Sequence, residues 1–171
     1  YCEPFCGMNG VYRHVRKNTD FKQYLGGDVN KSLILMWNHS KDINKDNNIY
    51  DMTEEKFLEM KLDGLSSPYK GFIGHVYGFG GIYFACYKPK YNETVNKKLI
   101  ENSYNRVMTM SEELKDVKYT CGKYTQFSEL KNFIIYCDPP YDSKYTRYYD
   151  EKHKKIKFDT PKFWAWARKM S

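Results

Sequence analysis

The run Phe133-Ile134-Ile135-Tyr136-Cys137 ends abruptly in Asp138-Pro139-Pro140-Tyr141, and no other stretch of the 171 residues restricts the fold as much. Five apolar or aromatic residues bounded by a polar turn predict a buried parallel strand covered on both faces. Ligands of open α/β sheets bind beyond the carboxyl ends of such strands, so the run also predicts where a site lies. Each proline fixes its φ and lacks an N–H, which stiffens the turn and leaves its carbonyls free to accept hydrogen bonds. Asp138 adds a charged acceptor and Tyr141 a flat ring, a set suited to a planar group that bears an amine. A rigid turn that merely closes the strand is the alternative. The strand in front supplies the context that favours a catalytic motif.

Two segments near the N-terminus fit the same architecture. Tyr1 to Val15 reads as a short strand, a turn containing Gly7 and Gly10, and a helix. That geometry lets a ligand approach the backbone at a helix N-terminus. Gln23 to Asn30 reads as a second short strand ending in an acid, Asp28, which lies 21 residues after Gly7. An offset of ~20 residues is where an acid after the second strand accepts hydrogen bonds from ribose hydroxyls. Capping a helix that starts near Lys31 is a second role, compatible with the first.

Between these segments and the motif the periodicity is mostly helical. Leu33, Ile34, Trp37 and Ile43 form an apolar stripe over residues 31–45, with His39 as a structural residue near its end. Residues 41–48 are polar enough for a loop, and Thr53 opens a capped amphipathic helix that runs to Leu62. From Gly71 to Tyr87 glycines and aromatics interleave, which is compatible with a tightly packed hairpin. Asn92 to Glu113 reads as a helix with Val95, Leu99, Tyr104, Val107, Met108 and Met110 as its apolar contacts, and Val117 to Cys121 as the next strand. Beyond the motif, Ser143 to Phe158 is basic and aromatic, and Thr160-Pro161 starts a closing helix.

Charge narrows the partners. The net charge is +7, divided as −1 over residues 1–63, +4 over 64–132 and +4 over 133–171. A polyanion would lie along the middle and end of the chain, although a solvated lysine-rich surface has the same composition. Seventeen tyrosines beside lysines suit base stacking and phosphate contact as well as an aromatic core. The five cysteines form no Cys-x-x-Cys pair and the four histidines are isolated, which argues against disulfides and metal and for a reducing intracellular compartment. No apolar run is long enough to span a bilayer.

Asp138-Pro139-Pro140-Tyr141 after a hydrophobic strand resembles the catalytic motif of amino-group methyltransferases that use S-adenosylmethionine. The rest of the chain narrows the resemblance to the DNA adenine methylase family, in the form found in phages and large DNA viruses. Glu3-Pro4-Phe5 with Gly7 resembles the family's cofactor motif, in which Asn9 takes the position of a second glycine. Asparagine tolerates positive φ, so the turn is expected to survive. Asp28-Val29-Asn30 resembles the ribose-binding segment, and Tyr124 matches the aromatic beside the cofactor's adenine, with Lys123 departing from the pattern. Gly71-Phe72-Ile73-Gly74 and Phe79-Gly80-Gly81 resemble the segment where the target-recognition region is inserted, and Phe163 to Ser171 the one that follows the catalytic loop.

The resemblance implies an α/β, Rossmann-like methyltransferase with an inserted recognition region, transferring a methyl group from S-adenosylmethionine to N6 of a flipped adenine in DNA. Residues 1–63 then form the cofactor part, 64–91 the recognition insertion, and 92–171 the return helix and catalytic part. Asp138, Pro139, Pro140 and Tyr141 are the catalytic residues it implies. Its cofactor-binding set is Glu3, Pro4, Phe5, Gly7, Asn9, Asp28, Asn30, Tyr124 and Asp138. Lys70, Lys88, Lys144, Tyr145 and Arg147 are the candidate DNA contacts. No metal or membrane is implied, and the compartment would be host cytoplasm or nucleoid for a viral enzyme. Whole methylases of this kind carry a segment before Tyr1 and strands after Ser171, so the chain is expected to be part of a longer protein. An amino-methyltransferase acting on RNA or protein, and a catalytically impaired methylase-like module that binds nucleic acid or structural partners, are the competing readings.

Overall fold

The computed structural model describes residues 1–43, 49–87, 93–141 and 157–171. Its centre is a three-stranded parallel sheet of β1 (Cys2–Glu3), β2 (Leu25–Asp28) and β3 (Lys118–Cys121), in the spatial order β1-β2-β3. Cys2 pairs with Leu25 and Glu3 with Gly26, while Leu25 to Asp28 run level with Lys118 to Cys121. On the free side of β1, Cys2 forms a parallel bridge to Ile135. Read across the sheet, the order is therefore β3, β2, β1, then the segment that leads into Asp138. Chain progression reverses at β1, which makes the gap between β1 and that segment a topological switch point.

The expectation of a motif strand covered on both faces is corrected. Only Ile135 bridges, through Cys2 N–H to Ile134 O and Tyr136 N–H to Cys2 O, both 2.9 Å. Ile134 is 60% exposed and Tyr136 40%, while Phe133, Ile135 and Cys137 pack inward. The segment therefore alternates like a half-buried strand.

Helices cover both faces of the sheet. A large aromatic and aliphatic core on one face takes Tyr12 from α1 (Gly10–Asn18), Leu33, Ile34, Met36 and Trp37 from α2 (Lys31–Asn38), and Phe57 from α3 (Glu54–Leu62). It also takes Phe72 and Ile73 from α4 (Pro68–Val76), and Ile100, Val107 and Met110 from α5 (Glu93–Glu113). Val95 and Leu99, expected in the α5 stripe, are exposed; the buried stripe lies along Ile100, Val107, Met110 and the following Leu114. On the other face Cys2, Phe127, Phe163 and Trp166 form a smaller core beneath α6 (Thr160–Met170).

Two glycines explain how β2 holds the centre. A Cβ on Gly26 would lie 2.6 Å from the Tyr119 ring, and one on Gly27 2.6 Å from the Phe127 ring. The strand gives up side chains so that rings from β3 and from the one-turn helix Tyr124–Phe127 lie against its backbone.

Helix starts follow the sequence closely. Asn30 accepts from Leu33 N–H, Thr53 from Lys56 N–H, Ser67 from Lys70 N–H and Asp159 from Lys162 N–H, with proline at the start of α4 and α6. The helix expected over 31–45 ends at Asn38, followed by a single 3-10 turn, Ser40–Asp42, that delivers Ile43 to the core. The first part of the interleaved stretch, whose pattern is also compatible with a hairpin, is helix α4. Pro68 and the Ser67 cap nucleate it, and Gly71 lets it approach α2 so closely that a Cβ would sit 2.3 Å from Ser32 O. Only the bridge Gly78 to Tyr87 is antiparallel.

Candidate active site

Carrying the Cys2–Ile135 register forward sets the loop after β1 level with Asp138 to Tyr141. Both therefore lie at the carboxyl ends of the parallel strands, on either side of the switch point. In the motif, Tyr141 O–H donates to Asp138 Oδ1 at 3.1 Å, and both residues are exposed. The tetrapeptide closes on itself while remaining open to solvent.

The facing loop is fixed from three directions. Gly7, at φ +47°, donates its N–H to Asp28 Oδ2 at 3.3 Å and accepts from Trp37 Nε1 at 3.0 Å. Asn9 takes a left-handed conformation, φ 57° and ψ 30°, as its substitution for glycine requires. Its Nδ2 donates to Tyr119 O–H at 2.9 Å, fastening the start of α1 to β3. The Asn9 side chain is fully buried beneath the loop that it positions.

Asp28 ends β2 and joins the two loops. Besides Gly7 it accepts from Asn30 N–H at 2.9 Å. Burial pushes its carboxyl above the usual range, opposed by hydrogen bonds from the Asn30, Gly7 and Val29 amides. Asn30, not Asp28, caps α2 through Leu33 N–H at 3.1 Å.

Glu3 is buried on β1, where its Oε1 accepts from Tyr1 O–H at 2.9 Å. Burial raises its carboxyl to about 7; the Tyr1 hydrogen bond opposes the rise and the Asp138 charge adds to it. Pro4 is fully buried behind it. Phe5 and Tyr124 meet with ring centroids 5.6 Å apart, and Tyr124 also contacts Phe163 at 5.4 Å and Trp166 at 5.0 Å. Burial raises the Tyr124 phenol. The two thiols beside the site are likewise pushed up by burial, Cys2 to about 12 and Cys137 to about 11, so neither offers a thiolate at neutral pH.

The set of residues around the loop fits an adenosyl group. It offers a carboxylate at the end of β2, two aromatic rings, and open space where a Cβ on Gly7 or Gly10 would point. In addition, the buried Asn9 Oδ1 has no hydrogen-bond partner. A cleft of about 520 Å³ between Trp37–Asp42 and the end of α5 shares none of its lining with either loop of the site.

One proposed DNA contact is overturned. Lys70 is 2% exposed, paired with Asp63 Oδ1 and 5.7 Å from the centre of the Phe84 ring, so its charge serves the fold and not a phosphate. Lys88, Lys144, Tyr145 and Arg147 lie outside the described residues. Of Trp37 and Tyr119, which hold Gly7 and Asn9, the sequence showed the first only as part of an apolar stripe and the second only as part of a strand. Their polar atoms reach the loop from 30 and 110 residues away. Among the described residues no helix is long and apolar enough to cross a membrane, and no group of three or more His, Cys, Asp or Glu is placed to hold a metal.

A parallel α/β sheet with an acid-proline turn and a glycine-containing loop flanking its switch point defines a protein built to hold a ligand at its strand ends. The family model for D12 class N6 adenine-specific DNA methyltransferase matches residues 75–168, more than half of the chain. The chain belongs to that family. A comparison with curated proteins finds none that matches it.

Proposed function

We propose that the chain is the S-adenosylmethionine-dependent, Rossmann-like catalytic part of a DNA adenine methyltransferase, with Asp138 to Tyr141 as its reaction site. The observation that carries this reading is the Cys2–Ile135 bridge, which sets the tetrapeptide beside the β1 loop across the switch point. Asp28 is the ribose acceptor, Phe5 and Tyr124 supply apolar surface for the adenine ring, and Gly7 leaves room for the cofactor. Glu3, Pro4 and Asn9 shape the pocket from behind, and Asn30 holds the loop after β2. S-adenosylmethionine, when bound, supplies an electrophilic methyl group.

The target adenine is out of reach inside a duplex, so it enters flipped from the stack. Asp138 and the Pro139 carbonyl accept hydrogen bonds from its amine and orient the nitrogen lone pair, and the Tyr141 ring stacks on the base. Pro140 keeps that turn rigid. Entry of the base exchanges the Tyr141 to Asp138 hydrogen bond for bonds from the amine. No protein nucleophile is needed: orientation for in-line displacement and a carboxylate near the developing positive charge carry the acceleration. The proton lost by the amine leaves through Asp138, which faces solvent.

Mass-spectrometric detection of N6-methyladenine in duplex DNA tests the reading. Wild-type product with at least a 100-fold loss in Asp138→Ala, at unchanged melting temperature, is the expected result. A folded Asp138→Ala protein that keeps most of the rate refutes the assignment.

A further inference from the structure

The closing helix α6 has a composition that its packing does not use. At about 100° per residue, Phe163, Trp166, Ala167 and Met170 share the face turned to the sheet. Trp164, Arg168, Pro161, Ala165, Lys169 and Lys162 follow one another around the remaining arc of about 160°. All six are exposed, Trp164 by 54%. No acidic residue occurs from Thr160 to Ser171, and among the described residues none of the three cations is ion-paired. The cations of α1 contrast with them: Arg13 and Lys17 pair with Glu113, and Arg16 with Asp116.

Position adds to charge. The helix begins at the candidate site, where Phe158 and Phe163 lie 5.9 and 5.7 Å from the Phe5 ring. From there the cations extend about 10 Å, Lys162 to Lys169, roughly the rise of three nucleotides of one DNA strand. Small residues, Pro161 and Ala165, occupy the middle of the face, so a broad polyanion meets no obstruction there.

We propose that this face of α6 is a docking surface for the phosphate backbone of duplex DNA, with Lys162, Arg168 and Lys169 on phosphates and the Trp164 indole against a deoxyribose. It rests on the DNA methyltransferase reading and extends it from the reacting base to the flanking duplex. Contacts of this kind fix the register of the duplex and carry no sequence information.

Fluorescence anisotropy with a labelled duplex between 50 and 200 mM salt tests it on the full chain. Three variants are compared with wild type: Lys162→Ala/Arg168→Ala/Lys169→Ala, Trp164→Ala, and a charge-matched control, Lys22→Ala/Lys56→Ala/Lys98→Ala, of exposed lysines elsewhere. The α6 triple variant is expected to reduce the slope of log K against log salt by about 2.7, at 0.9 per lost phosphate contact, and the control to leave it unchanged. Trp164→Ala is expected to weaken binding several-fold with the slope preserved. Equal slopes in the two triple variants, or wild-type binding that does not depend on salt, overturn the proposal. So does a dimer that Trp164→Ala dissociates with DNA affinity intact, which assigns the face to self-association. Methyl transfer to the same duplex is scored separately. An altered slope without transfer refutes the catalytic reading alone, and transfer with an unaltered slope refutes the surface alone.

Discussion

Replacing Glu3 by glutamine is expected to stabilise the chain at high pH relative to low pH, by an amount fixed by the carboxyl's burial. The side chain is 3% exposed, and its carboxyl rises from 4.5 to about 7. Below pH 4.5 folded and unfolded chains both hold the proton, and ionisation costs nothing. Between 4.5 and 7 the unfolded chain releases it while the folded chain keeps it, so stability falls as pH rises through that window and levels off above it. At 1.36 kcal/mol per unit, the loss amounts to about 3 kcal/mol above pH 7. Glutamine keeps an oxygen to accept from Tyr1 O–H and removes the titration. Its buried NH2 adds a penalty that does not vary with pH. The quantity to read is therefore the variant's stability difference from wild type at pH 8 minus that at pH 4, from urea titrations. A value near 3 kcal/mol in favour of the variant is expected. Equal differences at the two pH values would show that Glu3 is solvated or paired and would refute the reasoning.

Other perturbations probe the rest of the structure. Gly71→Ala places a Cβ 2.3 Å from Ser32 O between α4 and α2 and is expected to cost about 1–3 kcal/mol in chemical denaturation. Lys70→Ala is expected to lower the melting temperature while leaving the salt dependence of DNA binding unchanged, because its ammonium is spent on Asp63 and Phe84. Glu113, held at about 2 chiefly by its hydrogen bond from Arg13, contributes stability that is present above pH 4.5 and lost as pH falls toward 2. Glu113→Gln should accordingly lower the melting temperature at pH 7 and much less at pH 2, where about half of the folded chains hold the proton.

What the sequence announced depended on whether the signal was local. The cap at Thr53, the proline start of α6, the left-handed turn at Asn9 and the strand ending in Asp28 are properties of a few adjacent residues, and all are found. The burial of the Phe133 to Cys137 run was misjudged because an apolar sequence does not say what lies across from it. Ile134 and Tyr136 face outward although their neighbours face in. Lys70 suggested a surface charge because lysine usually is one. Only its contacts with Asp63, seven residues earlier, and with Phe84 reveal a buried pair. Likewise the glycines of α4 imitated a hairpin pattern, when at Gly71 the lost side chain makes room for a helix crossing. Within the site, the positions of Asp28 and Asp138 were readable from strand ends, whereas the braces from Trp37 and Tyr119 depend on tertiary packing.

The two halves of the site are held together unequally. β2 and β3 pair over four residues, whereas the motif segment is joined to β1 by two backbone hydrogen bonds, both made by Cys2. Protection against hydrogen exchange scales with how much structure must open to expose an amide. The amides of Cys2 and Tyr136 should therefore exchange through a small local opening, while those of β3 wait for a larger one. Such an opening separates Asp138 from the β1 loop without dismantling the sheet, so the distance between Asp138 and that loop is set by the weakest seam in the strand array.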